Sequence, residues 1–115
     1  MLPKIVAQLK TGSIKAVVVF GSASTAKPYV VVKPEARDGM RVIRVIVHYA
    51  PGNQSALENY VFNECSNLLK NFTETDRHGN RFIVRDLSEW TDVVTTNDDA
   101  TISMERLFYV PQRAH

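Results

Sequence analysis

The residues able to hold a soft metal ion, or to act as nucleophile and base, are the thiol of Cys65 and the imidazoles of His48, His78 and His115. Metal sites draw paired ligands from one element at short spacing, because a single strand or helix then presents both to one ion. No two of these residues stand at such a spacing. His48 reads as a strand residue on the wetter face of its sheet, and His78 as a turn residue. Cys65 falls on the apolar stripe of a helix, where a small buried hydrophobe is the expectation. Asp98 and Asp99 stand together in a polar loop, but two neighbouring carboxylates need further ligands to hold a cation, so a solvated loop is the simpler reading. The sequence therefore predicts no catalytic residue, no metal and no cofactor, and a protein that is not an enzyme.

Two further segments bear on chemistry. Val18-Val19-Phe20-Gly21-Ser22 resembles the opening of the nucleotidyltransferase motif, in which a strand ends in Gly-Ser and two aspartates follow. Those carboxylates hold the ions that neutralise the transferring phosphate. Here residues 23–34 contain no acid, and the first carboxylates, Glu35 and Asp38, come late and in a turn. Gly21-Ser22-Ala23-Ser24 also lacks the lysine context of a phosphate loop. Arg37, Arg41 and Arg44, with Tyr49, could form a basic, aromatic face for nucleic acid, although three arginines around one turn are more often a solvated surface. A degenerate nucleotidyltransferase-like domain and a small nucleic-acid-binding module stay open as alternatives. A nucleotide bound near Ser22 would favour the first, and steep salt dependence of binding the second.

Bulk properties frame these segments. A chain of 115 residues, 44% hydrophobic and 23% charged, matches one globular domain able to bury a core. Cys65 is the single cysteine, which rules out an intrachain disulfide. Met1-Leu2-Pro3-Lys4 opens no signal peptide, and no apolar run is long enough to span a bilayer, so the expected location is cytoplasmic. In that setting the glycosylation patterns Asn53-Gln54-Ser55 and Asn71-Phe72-Thr73 carry no meaning. The net charge of +2 is unevenly spread. Residues 1–50 hold eight Lys/Arg against two acids, and residues 51–115 hold six against ten, giving +6 and −4. Such a split suits head-to-tail packing of identical subunits.

The elements that must position these residues follow from periodicity. Leu2, Ile5, Val6 and Leu9 are spaced as one face of a short helix, which Thr11-Gly12-Ser13 ends. Ile14 to Phe20 reads as a strand, and Gly21 to Lys27 as a loop. Pro28 to Lys33 reads as a second strand, with the proline tolerated at its start. Glu35 to Met40 is polar and contains the turn signal Asp38-Gly39. Arg41 to Tyr49 is the clearest strand: Ile43, Val45, Val47 and Tyr49 share one face, and Val42, Arg44, Ile46 and His48 the other, half-polar one. Ala50-Pro51-Gly52-Asn53 breaks it. Ser55-Ala56-Leu57-Glu58 then reads as a capping box for a helix running to about Asn71, with the stripe Leu57, Val61, Cys65, Leu68 and Phe72.

Asp76 to Asn80 is a turn, and Arg81 to Leu87 a strand with Phe82 and Val84 on one face. Ser88 to Val94 is ambiguous, and Trp90 is expected to anchor a bend or short helix. Thr95 to Ala100 is a polar loop. Thr101 to Val110 is the final strand, with Ile102, Met104, Phe108 and Val110 on one side; Pro111 ends it, and Gln112 to His115 form a mobile tail. The order α-β-β-β-α-β-β predicts an α+β fold: an antiparallel or mixed sheet of about five strands, with one long and one short helix packed on it.

This arrangement resembles the tail-terminator, or tail-completion, proteins of long-tailed bacteriophages. The resemblance rests on the short first helix, Pro28-Tyr29-Val30-Val31-Val32, the basic turn, and the strand Arg41 to Tyr49 running through Ala50-Pro51-Gly52 into the helix. It also rests on the closing segment Thr101-Ile102-Ser103-Met104-Glu105-Arg106-Leu107-Phe108-Tyr109-Val110-Pro111. It implies a homo-oligomeric ring, usually hexameric, that sits on the last ring of the tail tube, stops its growth and offers a surface to head-completion proteins. The implied partners are further copies of itself, the tail tube protein and a head-completion protein, with no membrane and no specific nucleic acid. The implied location is the host cytoplasm during assembly and the tail–neck region of the virion. The charge split adds a candidate subunit interface, with Arg37, Arg41 and Arg44 of one copy facing Asp92, Asp98 and Asp99 of the next.

Overall fold

The computed structural model describes residues 2–19, 27–70, 72–75, 78–79, 81–96 and 100–109. Gly21-Ser22, Asp98-Asp99, Val110 and the expected mobile tail all lie outside them. The first helix, α1, spans Leu2–Leu9 and buries Ile5 and Leu9 completely. Past its end the Thr11 hydroxyl donates to the Gln8 carbonyl at 2.6 Å, satisfying an acceptor that the helix leaves open. The loop that follows is tied to the long helix: the Ser13 N–H and hydroxyl both donate to Glu64 Oε2, at 2.6 and 2.9 Å. Gly12 permits that approach, because a Cβ there would stand 2.5 Å from the same oxygen and 2.8 Å from Leu68 Cδ1.

The strand expected over Ile14–Phe20 is shorter, β1 at Val17–Val19. The Val17 N–H bonds the Lys15 carbonyl at 3.1 Å, a three-residue turn that stops a ladder from forming earlier. Ile14 still turns into the core. β2 (Tyr29–Arg37) runs four residues beyond the expected end at Lys33, because the Asp38-Gly39 turn holds its polar half in register with β3 (Met40–Tyr49). β1 pairs with β2 in parallel. β3 pairs antiparallel with β2 on one side and with β8 (Ile102–Tyr109) on the other.

The long helix has three segments: α2 (Gln54–Asn59), a π-helical turn (Tyr60–Cys65) and α3 (Ser66–Lys70). The capping box does not form. Asn53 is the N-cap, without a side-chain cap bond, and Gln54 Nε2 instead donates to Glu58 Oε1 at 2.9 Å. The buried stripe also differs from expectation, since Leu57, Val61 and Cys65 are followed by Leu69 at 0% exposure, while Leu68 is only partly buried. In an α-helix each four-residue step overshoots a full turn by about 40°, so Leu68, eleven residues beyond Leu57, would return to the face and Leu69 would leave it. The wider π turn takes up about one extra residue and keeps the four-residue steps in line. Ser66 holds this turn open. Its hydroxyl donates to the Val61 carbonyl at 2.6 Å and accepts the Trp90 indole N–H at 2.9 Å.

The expected strand Arg81–Leu87 is split at buried Val84. β5 (Arg81–Ile83) pairs with β4 (Thr73–Thr75) in a separate ribbon, whereas β6 (Arg85–Asp86) joins β8. The main sheet thus has six strands rather than about five, in the order β1-β2-β3-β8-β6, with β7 (Val94–Thr95) also on β8. Between β6 and β7 the chain follows β8 without becoming a strand. Backbone and side chains share the ladder there: the Leu87 and Thr91 N–H groups donate to the Leu107 and Glu105 carbonyls at 3.0 and 2.9 Å, while the Leu107 N–H donates to Ser88 Oγ and the Glu105 N–H to Thr91 Oγ1, both at 3.0 Å. Trp90 does anchor this segment, set edge-on to Phe108 with ring centroids 6.2 Å apart.

The result is the expected α+β architecture, with one long and one short helix on a mixed sheet. Both helices pack on one face, where Val30, Val32, Ile43, Val45, Val47, Met104 and Phe108 meet Ile5, Leu9, Leu57, Val61, Cys65 and Leu69. Burying such side chains contributes about 1.5–3 kcal/mol each before the cost of ordering the chain. The opposite face carries Tyr29, Val31, Val42 and Leu107 as buried residues among half-exposed Lys33, Glu35, Arg44, Ile46 and His48.

Candidate functional site

Among the described residues, the β2–β3 hairpin extends beyond the strands that pair with it. Pairing of β3 with β8 starts at Val42↔Tyr109, and among the described residues 36–41 pair only with each other, Ala36↔Arg41 and Arg37↔Met40. All six are exposed, Met40 at 38%. The two-residue turn explains the arm's regularity: Asp38 and Gly39 have φ of 51° and 78°, as a type I′ turn requires, and its twist matches that of the flanking strands. Aspartate tolerates the left-handed region better than most residues, and glycine at no steric cost.

Of the three arginines expected to form a basic surface, Arg37 and Arg41 stand on this arm, with no ion pair among the described residues. Arg44 does not join them. It points to the helix-free face of the sheet, where its Nε and Nη2 donate to the two Glu35 carboxylate oxygens at 2.8 and 3.2 Å, and Nη1 lies 3.3 Å from Glu105 Oε2. The hydrogen bond from Arg44 holds the Glu35 carboxyl below the usual range, and the Glu35 bond in turn raises Arg44. A cation with two carboxylates of its own chain has little charge left for a partner. Cross-strand placement of Arg44 between Glu35 and Glu105 follows from register, because the residues share one face of adjacent strands.

Asp92 lies in the irregular stretch beside β8, exposed, on an open groove of about 560 Å³. Gln54, Glu58 and Phe62 of the long helix form one wall, and Trp90 to Val93 with Thr95 the other; Met104 of β8 also lines it. Trp90 and Met104 are nearly buried and make the floor, whereas Phe62 is 55% exposed. The π turn that carries Val61 and Cys65 inward leaves Phe62 on the outer face. Sequence reasoning passed over Phe62, Glu58 and Met40. Phe62 had a signal: a large apolar residue off the stripe of an amphipathic helix. Met40, beside a tight turn, had a weaker one.

The candidate soft ligands are dispersed. His48 stacks on Tyr29 across β2 and β3, with centroids 4.6 Å apart and planes 18° from parallel. His78 occupies an exposed turn. Burial pushes the Cys65 thiol up to about 12, so it stays protonated and unreactive. Its neighbour Tyr60 is raised for the same reason. Arg106 acts as a clamp within the fold: it donates to the Ser88 carbonyl, pairs with Asp86 at 2.9 Å and lies over the Phe108 ring. Among the described residues, no group of three or more His, Cys, Asp or Glu is placed to hold a metal ion, and no helix is long and apolar enough to cross a membrane.

The described residues thus present an exposed arm with two arginines on the β2–β3 hairpin, and an open groove with apolar lining and the carboxylates of Glu58 and Asp92. Searches against models of known protein families and against curated proteins find no match for the chain.

Proposed function

We propose that this chain is a structural assembly protein of a bacteriophage tail. Copies of it close into a ring, expected to be a hexamer, that caps the tail tube, ends its growth and presents a surface to the head-completion protein. The observation that supports the reading is the arm at residues 36–41, exposed throughout and, among the described residues, paired only within itself. A projecting hairpin adds no core to the domain that bears it; its use is contact with another molecule. The resemblance to tail terminators in element order gives that contact its context. Protein suits the arm better than nucleic acid does, because Asp38 sits between the two arginines and leaves the tip a net charge of only +1. Phosphate-backbone binding rests on many neutralised phosphates.

Deletion of the protein from its phage tests the reading. The expected phenotype is tails of abnormal length, or tails that fail to join heads. Tails of normal length that join heads normally would overturn it.

A further inference from the structure

Resting on the ring reading above, we infer that the arm of one copy docks in the Phe62 groove of the next, with Met40 as the knob. The two surfaces match in chemistry. Met40 is an exposed, flexible thioether beside the turn, level with Arg37 across the hairpin; Arg41, the next residue along β3, projects from the hairpin's other face. The groove offers an apolar floor of Trp90 and Met104, an exposed Phe62 at its wall, and the carboxylates of Glu58 and Asp92. Methionine fills irregular apolar gaps and packs favourably against aromatic rings. The Arg37 guanidinium beside it meets the carboxylates of the groove, which sets register more than it adds affinity.

The contact has to be between copies. Met104, on the groove floor, is paired with Val47, seven residues along β3 from Met40. At about 3.4 Å per residue Met104 stands roughly 24 Å along the strand from Met40, and Met40 shares the helix-free face of β3 with Val42 and Arg44, whereas the groove lies on the helix-bearing face. One copy therefore presents a tip and a groove that cannot satisfy each other. Joining unlike surfaces of identical subunits is the heterologous geometry that generates rings when the rotation closes.

Disulfide trapping tests this on the full chain. Met40→Cys and Phe62→Cys are introduced together, with each single variant as a control for the buried Cys65. Under mild oxidation the double variant is expected to give a ladder of linked chains ending at one closed species, and each single variant no ladder. The charge reversal R37E in that background should abolish the ladder, and adding E58K and D92K should restore it. Native mass measurement of the unmodified protein runs in parallel. A closed assembly without cross-linking would overturn the tip-in-groove contact and leave the ring standing. Cross-links that extend without limit would uphold the contact and overturn the ring. A Phe62→Asp variant that still self-assembles but loses a different tail protein would assign the groove to that protein instead, and so overturn the inference.

Discussion

Substitution of Leu69 and Leu68 by alanine, one at a time, tests the π turn directly. An uninterrupted α-helix places Leu68 on the core face; the observed helix places Leu69 there, at 0% exposure. Removing a fully buried leucine costs about 2–5 kcal/mol, the upper values belonging to sites that cannot collapse. Leu69 lies in α3, which packs against α1, a helix of eight residues. Such a short element can shift into part of the space, so the middle of the range, about 3 kcal/mol, is expected for Leu69→Ala. Leu68 is only partly buried and covers Gly12 at the helix surface, so about 1 kcal/mol is expected for Leu68→Ala. Trp90, the single tryptophan, supplies the assay, since unfolding carries its buried indole into water and changes its emission. Urea titrations followed at that emission should show a lowered midpoint and an unchanged slope for both variants, with the larger drop for Leu69→Ala. Equal losses, or a greater loss for Leu68→Ala, would refute the register the π turn imposes.

Other perturbations follow from the same contacts. Ser66→Ala removes both the hydroxyl bond to Val61 and the acceptor for Trp90, and should cost roughly 1–2 kcal/mol and shift the native emission of Trp90, read by urea titration and fluorescence. Glu35→Gln should cost roughly 1 kcal/mol or less at pH 7. Because Arg44 depresses the Glu35 carboxyl in the folded state, that stabilisation is present above the unfolded value and lost as pH falls through the folded one. The gap between wild type and Glu35→Gln should therefore narrow below about pH 4.3 in acid-unfolding curves. Cys65 should resist thiol reagents at pH 8 in the native protein and react once urea unfolds it; rapid native labelling would show the thiol is not buried as described.

Much of the fold was legible in the sequence, because local patterning decides it. Alternation from Arg41 to Tyr49 requires a strand with one apolar face, and Asp38-Gly39 requires a tight turn wherever two strands flank it. Apolar spacing in Leu2–Leu9 and from Ser55 to about Asn71 predicts two amphipathic helices, and alternation returns in the last strand. What the tertiary structure decided depends on partners distant in the chain. The π turn is held by a bond from Trp90 to Ser66, twenty-four residues apart, and no helical period anticipates it. The break at Val84 is set by which neighbour each half of the segment finds, β4 or β8. Arg44 looked like a surface cation by composition, yet register places it between Glu35 and Glu105 and neutralises it. Arg37 and Arg41 are exposed because, among the described residues, β8 pairing with β3 begins at Val42, and a strand's exposure depends on where its neighbour ends.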